Sequence, residues 1–489
     1  MARDSEKAGE RNVLVRVVWN CTDMKFLLIS LFLLCCLATV VQFLRYTLRL
    51  SSTDLTTTFS SQSPPLNLSS PSSVPTPHPL KNEEITADSV VRRAFNPVGS
   101  AAYLFVQMGA YRGGKNTFAV IGLGSKPLHV FANPAFRCEW VPYGDPNGSV
   151  TITGYKILPD WGYGRVYTVV VVNCTFPTDV GADGSGGLLI VAATTGDTAL
   201  DMEERFVALE EAPGSVNVTV FSSPPQYDYL YCGSSLYGNL NPQRVREWMA
   251  YHAKLFGEKS HFVIHDAGGV HPGVMEVLRP WIEKGFVTLQ DIREQERFDG
   301  YYHNQFLVVN DCLHRYRFMA KWMFFFDCDE FIYVQPKTTL KSVLDSLSGY
   351  TQITFEQMPM SGKLCRSQDA GDTPRMWVFE KLVYRDVKRG VRRDRKYAIQ
   401  PRNAFATGVH LSQNIAGRSL RKAESRITYF HYHGTIAERS DPCKVFVNDT
   451  TLTFEGTPYV LDTTLQQLAG SVKRFELKTI GSRLQRTRQ

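Results

Sequence analysis

A chain of 489 residues, 43% hydrophobic and 21% charged, is long enough for two or three domains and too rich in apolar side chains to be disordered. Its net charge of +7 is mild for that length. Anionic partners fit such a charge, but the dense basic stripe of a nucleic-acid binder is excluded.

Phe26 to Leu44 is apolar apart from Ser30, Thr39 and Gln42, and its 19 residues suffice to span a bilayer as a helix. Arg3, Lys7, Arg11, Arg16 and Lys25 precede it, whereas Arg45 and Arg49 follow, which favours a cytosolic N-terminus. A cleaved signal peptide is the competing reading. The long charged lead-in, the length of the apolar run and the lack of a small-residue cleavage site weigh against it. The expectation is a cytosolic tail (1–25), a single transmembrane anchor (26–44) and a lumenal remainder. Residues 45–86 are rich in Ser, Thr and Pro, as in Ser63-Pro64-Pro65, and predict a flexible stem. Sequons at Asn67, Asn147, Asn173, Asn217 and Asn448 agree with lumenal exposure. Cys138, Cys174, Cys232, Cys312, Cys328, Cys365 and Cys443 lie beyond the anchor. An odd count in an oxidising compartment leaves one thiol unpaired, expected to be Cys328; the other six allow about 15 pairings.

Between 87 and 224 short apolar runs such as Tyr103–Met108, Thr117–Gly122, Val150–Leu158 and Val166–Asn173 alternate with Gly, Pro and Asp turns. That texture predicts a β-sandwich. Its turn-adjacent Trp140, Tyr143, Trp161 and Tyr163 either stack on sugar rings or pack a small core.

The pattern changes at Pro224-Pro225. Strands over Tyr227–Cys232, His261–His265 and Phe286–Leu289 alternate with helices over Pro242–Phe256, Val274–Lys284 and His303–Lys321. This predicts an α/β domain over 225–480 with a parallel sheet. It contains no Gly-x-Gly-x-x-Gly and no Walker loop, which disfavours dinucleotide and P-loop chemistry. Met323 to Phe326 then reads as a buried strand running into Asp327, Asp329 and Glu330. Clustered carboxylates at a strand end repel one another, so a cation is expected among them. In an extended segment Asp327 and Asp329 face one way and Cys328 the other, which suits a divalent ion with positions open for substrate phosphates. Further on, the Ile427–Phe430 strand leads into His431 and His433, spaced to offer a third ligand. Between lies a basic tract of Arg385, Lys388, Arg389, Arg392, Arg393, Arg395, Lys396 and Arg402, of which Lys396 or Arg402 is placed to clamp a diphosphate. A metal held by Asp-x-Asp in a lumenal α/β domain points to a nucleotide sugar, whose diphosphate the ion would neutralise as it leaves. A lumenal metal-dependent nucleotide-sugar hydrolase and a non-catalytic glycan-binding membrane protein are the alternatives.

The stretch Trp322-Met-Phe-Phe-Phe-Asp-Cys-Asp-Glu-Phe331 resembles the metal-binding signature of glycosyltransferase family 92. Asn310-Asp311-Cys312, Lys396 to Pro401, Val409-His410, His431-Tyr432 and Cys232 to Tyr237 support the likeness, which covers most of 88–470 and extends to the family's plant β-1,4-galactan synthases. The resemblance implies a GT-A type nucleotide-sugar-binding domain behind the β-sandwich. It also implies UDP-galactose as donor, Mn2+ as ion, and a galactan or pectic oligosaccharide acceptor in the Golgi. Cys328 stands where an aliphatic residue is commoner. Carried over, Asp327 and Asp329 would bind the ion and UDP, with His431 or His433 completing the shell and His410 on the acceptor side. Inversion at the sugar requires a general base. The candidates are Glu356, Asp369, Asp372 and Glu380, with Glu356 preferred because it follows the Gln352–Phe355 strand. Tyr231, Cys232, Gly233, His265 and Asp266 fall where the first two strands end and are expected around the uridine. A homodimer is expected on general grounds.

Overall fold

The computed structural model describes residues 83–484, apart from 99–102, 127–133, 162, 164–165, 196–202, 299–301, 392, 422–425 and 438. The expected tail and anchor, and nearly all of the stem, lie outside the described residues. Among the described residues no helix is long and apolar enough to cross a membrane.

The aromatic run organises the fold because both of its faces are buried. Trp322, Phe324 and Phe326 enter one hydrophobic core, while Met323 and Phe325 enter another. Such two-sided burial is what a central strand of a covered sheet demands. The strand, Ala320–Phe325, begins three residues before Met323, and the helix ahead of it, Gln305–Tyr316, stops short of the expected Lys321. Propensity cannot distinguish Ala320-Lys321-Trp322 from a helix end; pairing with Tyr227–Tyr231 decides it.

Eleven strands form this sheet. Across it run Glu83–Ile85, Val91–Arg93, Val287–Asp291, Ser260–Asp266, Tyr227–Leu236, Ala320–Phe325, Arg395–Ile399, Gln352–Pro359, Ile427–His431 and Glu330–Val334, with Ser419–Leu420 beside Gln352–Pro359. From Val91–Arg93 to Ala320–Phe325 the pairing is parallel; Arg395–Ile399 then runs antiparallel to both its neighbours. Helices Pro242–Phe256, Pro272–Glu283 and Gln466–Ile480 carry side chains of one core. The first of these matches the expected bounds, since Asn241 caps it, Pro242 opens it and Gly257 (φ 80°) ends it. Helix Gln305–Tyr316 belongs to the opposite core and is tied to strand Tyr227–Leu236 by the Cys232–Cys312 disulfide.

Residues 96–211 form an eight-stranded antiparallel sheet folded on itself. Phe105 meets Phe136 at 5.2 Å and Phe118 stacks on Trp140 at 5.3 Å, although their strands are not paired. Cys138–Cys174 crosses the same interior. The outer side of Phe105–Ser125 contributes Val106, Met108, Ala119 and Ile121 to the core around helix Gln305–Tyr316. Two boundaries differ from expectation: Glu83–Ile85, assigned to the flexible stem, is a strand paired antiparallel with Val91–Arg93. Val91–Arg93, which the sequence assigns to the β-sandwich, instead pairs in parallel with Val287–Asp291. Buried Arg93 explains the placement: it holds Asp311 of helix Gln305–Tyr316 through two bonds of 2.8 and 3.0 Å and Gln290 through a third.

Of the turn-adjacent aromatics, Trp140 is buried in the sandwich core, whereas Tyr143, Trp161 and Tyr163 are exposed.

Candidate functional site

The acidic motif is a turn. After Phe325 the chain leaves its strand, the Glu330 N–H donates to the Asp327 carbonyl at 3.2 Å, and a new strand begins at Glu330. Strand alternation therefore does not carry through Asp327 and Asp329, and their carboxylates take different partners. Asp327 accepts from Lys396 Nζ at 2.6 Å and from Gln305 Nε2 at 3.2 Å. Glu330 accepts from the Asp327 N–H at 2.7 Å and lies 3.5 Å from the same ammonium. Asp329 Oδ2 lies 3.5 Å from His431 Nε2, and Asp329, His431 and His433 offer ligand atoms all within 4.8 Å of one another.

Electrostatics separates the three acids. Burial opposes ionisation of Asp327, but the Lys396 ammonium outweighs it and holds the carboxyl below its usual range. Burial pushes Glu330 up to about 8 in spite of Lys396. Burial also works against charge on Lys396, yet Asp327 and Glu330 together raise it. At His431 burial disfavours the cation and contact with Asp329 more than offsets this, raising the imidazole. Lys396 is thus committed to Asp327 and Glu330, and Asp329 is the acid that faces imidazoles.

The donor set suits a divalent ion. Two imidazoles and one carboxylate, with His433 exposed, leave coordination positions on the open side. Gln357 reaches His431 Nδ1 at 2.6 Å. The atom that meets Nδ1 is the amide nitrogen, which donates, so the ring proton sits on Nε2 and faces Asp329. Imidazole ligands favour manganese over magnesium. Among the described residues Cys328 is the unpaired thiol, buried, with Sγ 3.9 Å from Tyr231 Oη; the other six described cysteines pair as 138–174, 232–312 and 365–443.

Strand order locates the crevice. From Tyr227–Leu236 the chain passes to Ser260–Asp266 and Val287–Asp291 on one side, then to Ala320–Phe325 on the other. Ligands of open α/β sheets bind where that reversal opens the carboxyl ends. Here the two ends are Leu236-Tyr237 and Phe326-Asp327. Tyr237 is 43% exposed and stacks on His303 at 3.8 Å. His303 is held by its carbonyl, which accepts from Ser235, and lies in a run, Tyr302 to Asn304, with φ of 51–56° at all three residues. Non-glycine residues rarely adopt such a conformation even singly.

Family 92 is decided by the comparison with family models, in which Glycosyltransferase family 92 matches residues 227–474. The chain belongs to that family. It is 55% identical to Galactan beta-1,4-galactosyltransferase GALS3 of Arabidopsis thaliana over 100% of both chains. Identity to GALS2 of the same plant is 58% over 85% of this chain and 81% of the relative; to GALS1 it is 54% over 80% and 79%. The family 92 segment runs from strand Tyr227–Leu236 into helix Gln466–Ile480 and contains every residue of the acidic turn and the imidazole pair.

Around the family 92 crevice several expected contacts are otherwise engaged. Tyr231 is buried among Trp248, Phe262 and Phe326 and donates to the Phe326 carbonyl. Cys232 is in a disulfide. Gly233 is required by close packing, because a Cβ there would sit 1.5 Å from Tyr231 Oη. His265 is fully buried, and burial lowers it to about 4. Asp266 accepts from Gly268 and Val270 N–H, fixing a loop whose Ala267 and Gly269 N–H groups bond the Leu236 carbonyl; it supports Tyr237 from behind. None of these five is brought to the open crevice, because strand ends that pack against a covering helix or loop bury their own side chains. Tyr237, His303 and Gln357 are the residues that sequence reasoning missed.

The other candidates are dispersed. Glu356 lies inside the Gln352–Pro359 strand, not after it, and alternation places it on the face opposite Gln357, the residue that reaches His431. Asp369 bonds Gln466, exposed Asp372 precedes a 3-10 turn, and Glu380 caps Trp377 N–H and pairs with Lys473 at 2.5 Å. Arg402 is turned towards the carbonyls of Phe221, Ser223 and Phe318. His410 is exposed near Lys396, with Nδ1 3.0 Å from the Arg395 carbonyl.

Proposed function

We propose that this chain transfers galactose from UDP-galactose to the end of a β-1,4-galactan chain of pectin, with inversion, on a GT-A type scaffold. The convergence of Asp329, His431 and His433 beside the sheet's switch point, in a family 92 chain whose near relatives are named galactan β-1,4-galactosyltransferases, carries the reading. Asp329, His431 and His433 would hold manganese, which supplies Lewis-acid neutralisation of the diphosphate leaving group. The uracil ring stacks on Tyr237, which His303 backs. Lys396 keeps Asp327 ionised and the turn closed, so that Asp329 is presented to the imidazoles and the donor phosphates.

Three disulfides among the described residues suit an oxidising lumen, consistent with a Golgi enzyme anchored through residues 26–44. The test is to incubate the purified full-length chain with UDP-galactose, manganese and galacto-oligosaccharides. Elongated oligosaccharides whose formation stops with chelator are expected. Free galactose released at a rate indifferent to acceptor would instead establish the hydrolase.

A further inference from the structure

His433 also lines a pocket of about 330 Å3. Its walls come from the loops that leave two sheet strands. Gln352–Pro359 runs on into Ser361, Gly362 and Lys363, and Ile427–His431 runs on into His433, Gly434 and Thr435. The outer wall is the hairpin Thr451–Phe454/Thr457–Leu461, which contributes Phe454, Glu455 and Tyr459. Lys444 closes the rim beside the Cys365–Cys443 disulfide, which ties the two halves of the pocket frame together. The frame is continuous with the triad, because the Met360 N–H donates to the His431 carbonyl at 2.9 Å and Gln357, three residues earlier, orients the His431 ring.

We propose that this pocket is the acceptor subsite, seating the terminal sugars of a neutral galactan chain; the inference rests on the transferase reading above. A neutral pyranose needs hydroxyl partners and an apolar surface for its C–H face. Tyr459 and Phe454 supply the aromatic surface, and the lysines with Glu455 supply donors and acceptors. A phosphate or a uronate polymer fits less well. Lys363 is already neutralised by Glu455 at 3.0 Å, which leaves Lys444 as the cation of the rim. The geometry also divides the reaction. The donor enters at the switch point from the parallel half of the sheet, the acceptor enters from the C-terminal elements, and His433 stands at the boundary.

Gly362 makes the pocket testable. A Cβ there would meet only the His433 carbonyl at 3.5 Å and Thr435 at 3.9 Å, so a large side chain projects into the space without an initial clash. Gly362→Phe in the full-length chain should raise KM for galactotetraose by about tenfold or more with UDP affinity unmoved. Lys363→Ala/Lys444→Ala, at exposed rim positions that tolerate change, should raise the same KM in a chain that melts like the native one. Unchanged acceptor kinetics in both, with native transfer intact, overturn the subsite alone. No transfer by the native chain overturns the transferase reading and this subsite with it. A greater loss with galacturonate-rich than with neutral acceptors would overturn the neutral-chain assignment.

Discussion

Lys396 Nζ lies 2.6 Å from Asp327 and 3.5 Å from Glu330, and its side chain is 2% exposed. A buried ammonium between two acids is the interaction that makes the motif tolerable, and it decides which acid is left to face the imidazoles. Lys396→Met leaves Glu330 buried without a cation and Asp327 without its partner. The expected cost is about 3 kcal/mol, the usual scale for orphaning a buried charge. Denaturant unfolding of the variant measures it, and a loss below about 1 kcal/mol would contradict the assignment.

Manganese should raise the melting temperature of the native chain by binding its folded state, and Asp329→Ala and His431→Ala should each remove that rise. Gln357→Leu should weaken manganese binding about 10–100-fold without abolishing it, the range for residues that orient a ligand. Calorimetric titration with the metal alone separates the two classes.

Tyr237→Ala should weaken UDP binding by about tenfold, and Tyr237→Trp should restore most of it, because stacking needs a ring rather than a hydroxyl. Loss in both variants would mean that the phenol, not the ring, is used.

Glu356→Gln should lower transfer less than tenfold, since its face of the strand is opposite the one that serves His431. A fall of about 10²-fold or more would restore it as the general base.

Acid should destabilise the fold through buried histidines. Burial lowers His252 to about 3, while its Nδ1–H bonds the Trp248 carbonyl and Nε2 accepts from Ile332 N–H. The folded state therefore keeps it neutral, whereas the unfolded chain protonates near 6.5. Its contribution is complete above about pH 6.5 and is lost as pH falls from there towards 3, amounting to about 2 kcal/mol by pH 5. Unfolding free energies at pH 7.5 and 5 in native and His252→Phe chains check the slope.

Much of this was legible in the chain. The buried Phe run, the unpaired Cys328 and the His431–His433 pair follow from alternation, parity and spacing, all local properties. What was not legible depended on partners distant in sequence. An extended segment would put Asp327 and Asp329 on one face, yet the Glu330–Asp327 backbone bond turns it. Lys396 read as a phosphate clamp because nothing local shows that its strand lies beside Ala320–Phe325. Tyr231 and His265 read as site residues because strand ends carry ligands in general, whereas only packing reveals which side chains at an end are covered. Tyr237, one residue beyond the strand, is the exposed one.

The most direct test is a crystal of the full-length chain soaked with manganese and UDP, with anomalous difference density recorded at the manganese edge. One peak is expected within coordination distance of Asp329, His431 and His433, with Lys396 still on Asp327. A peak held by Asp327 with both imidazoles turned away would contradict it.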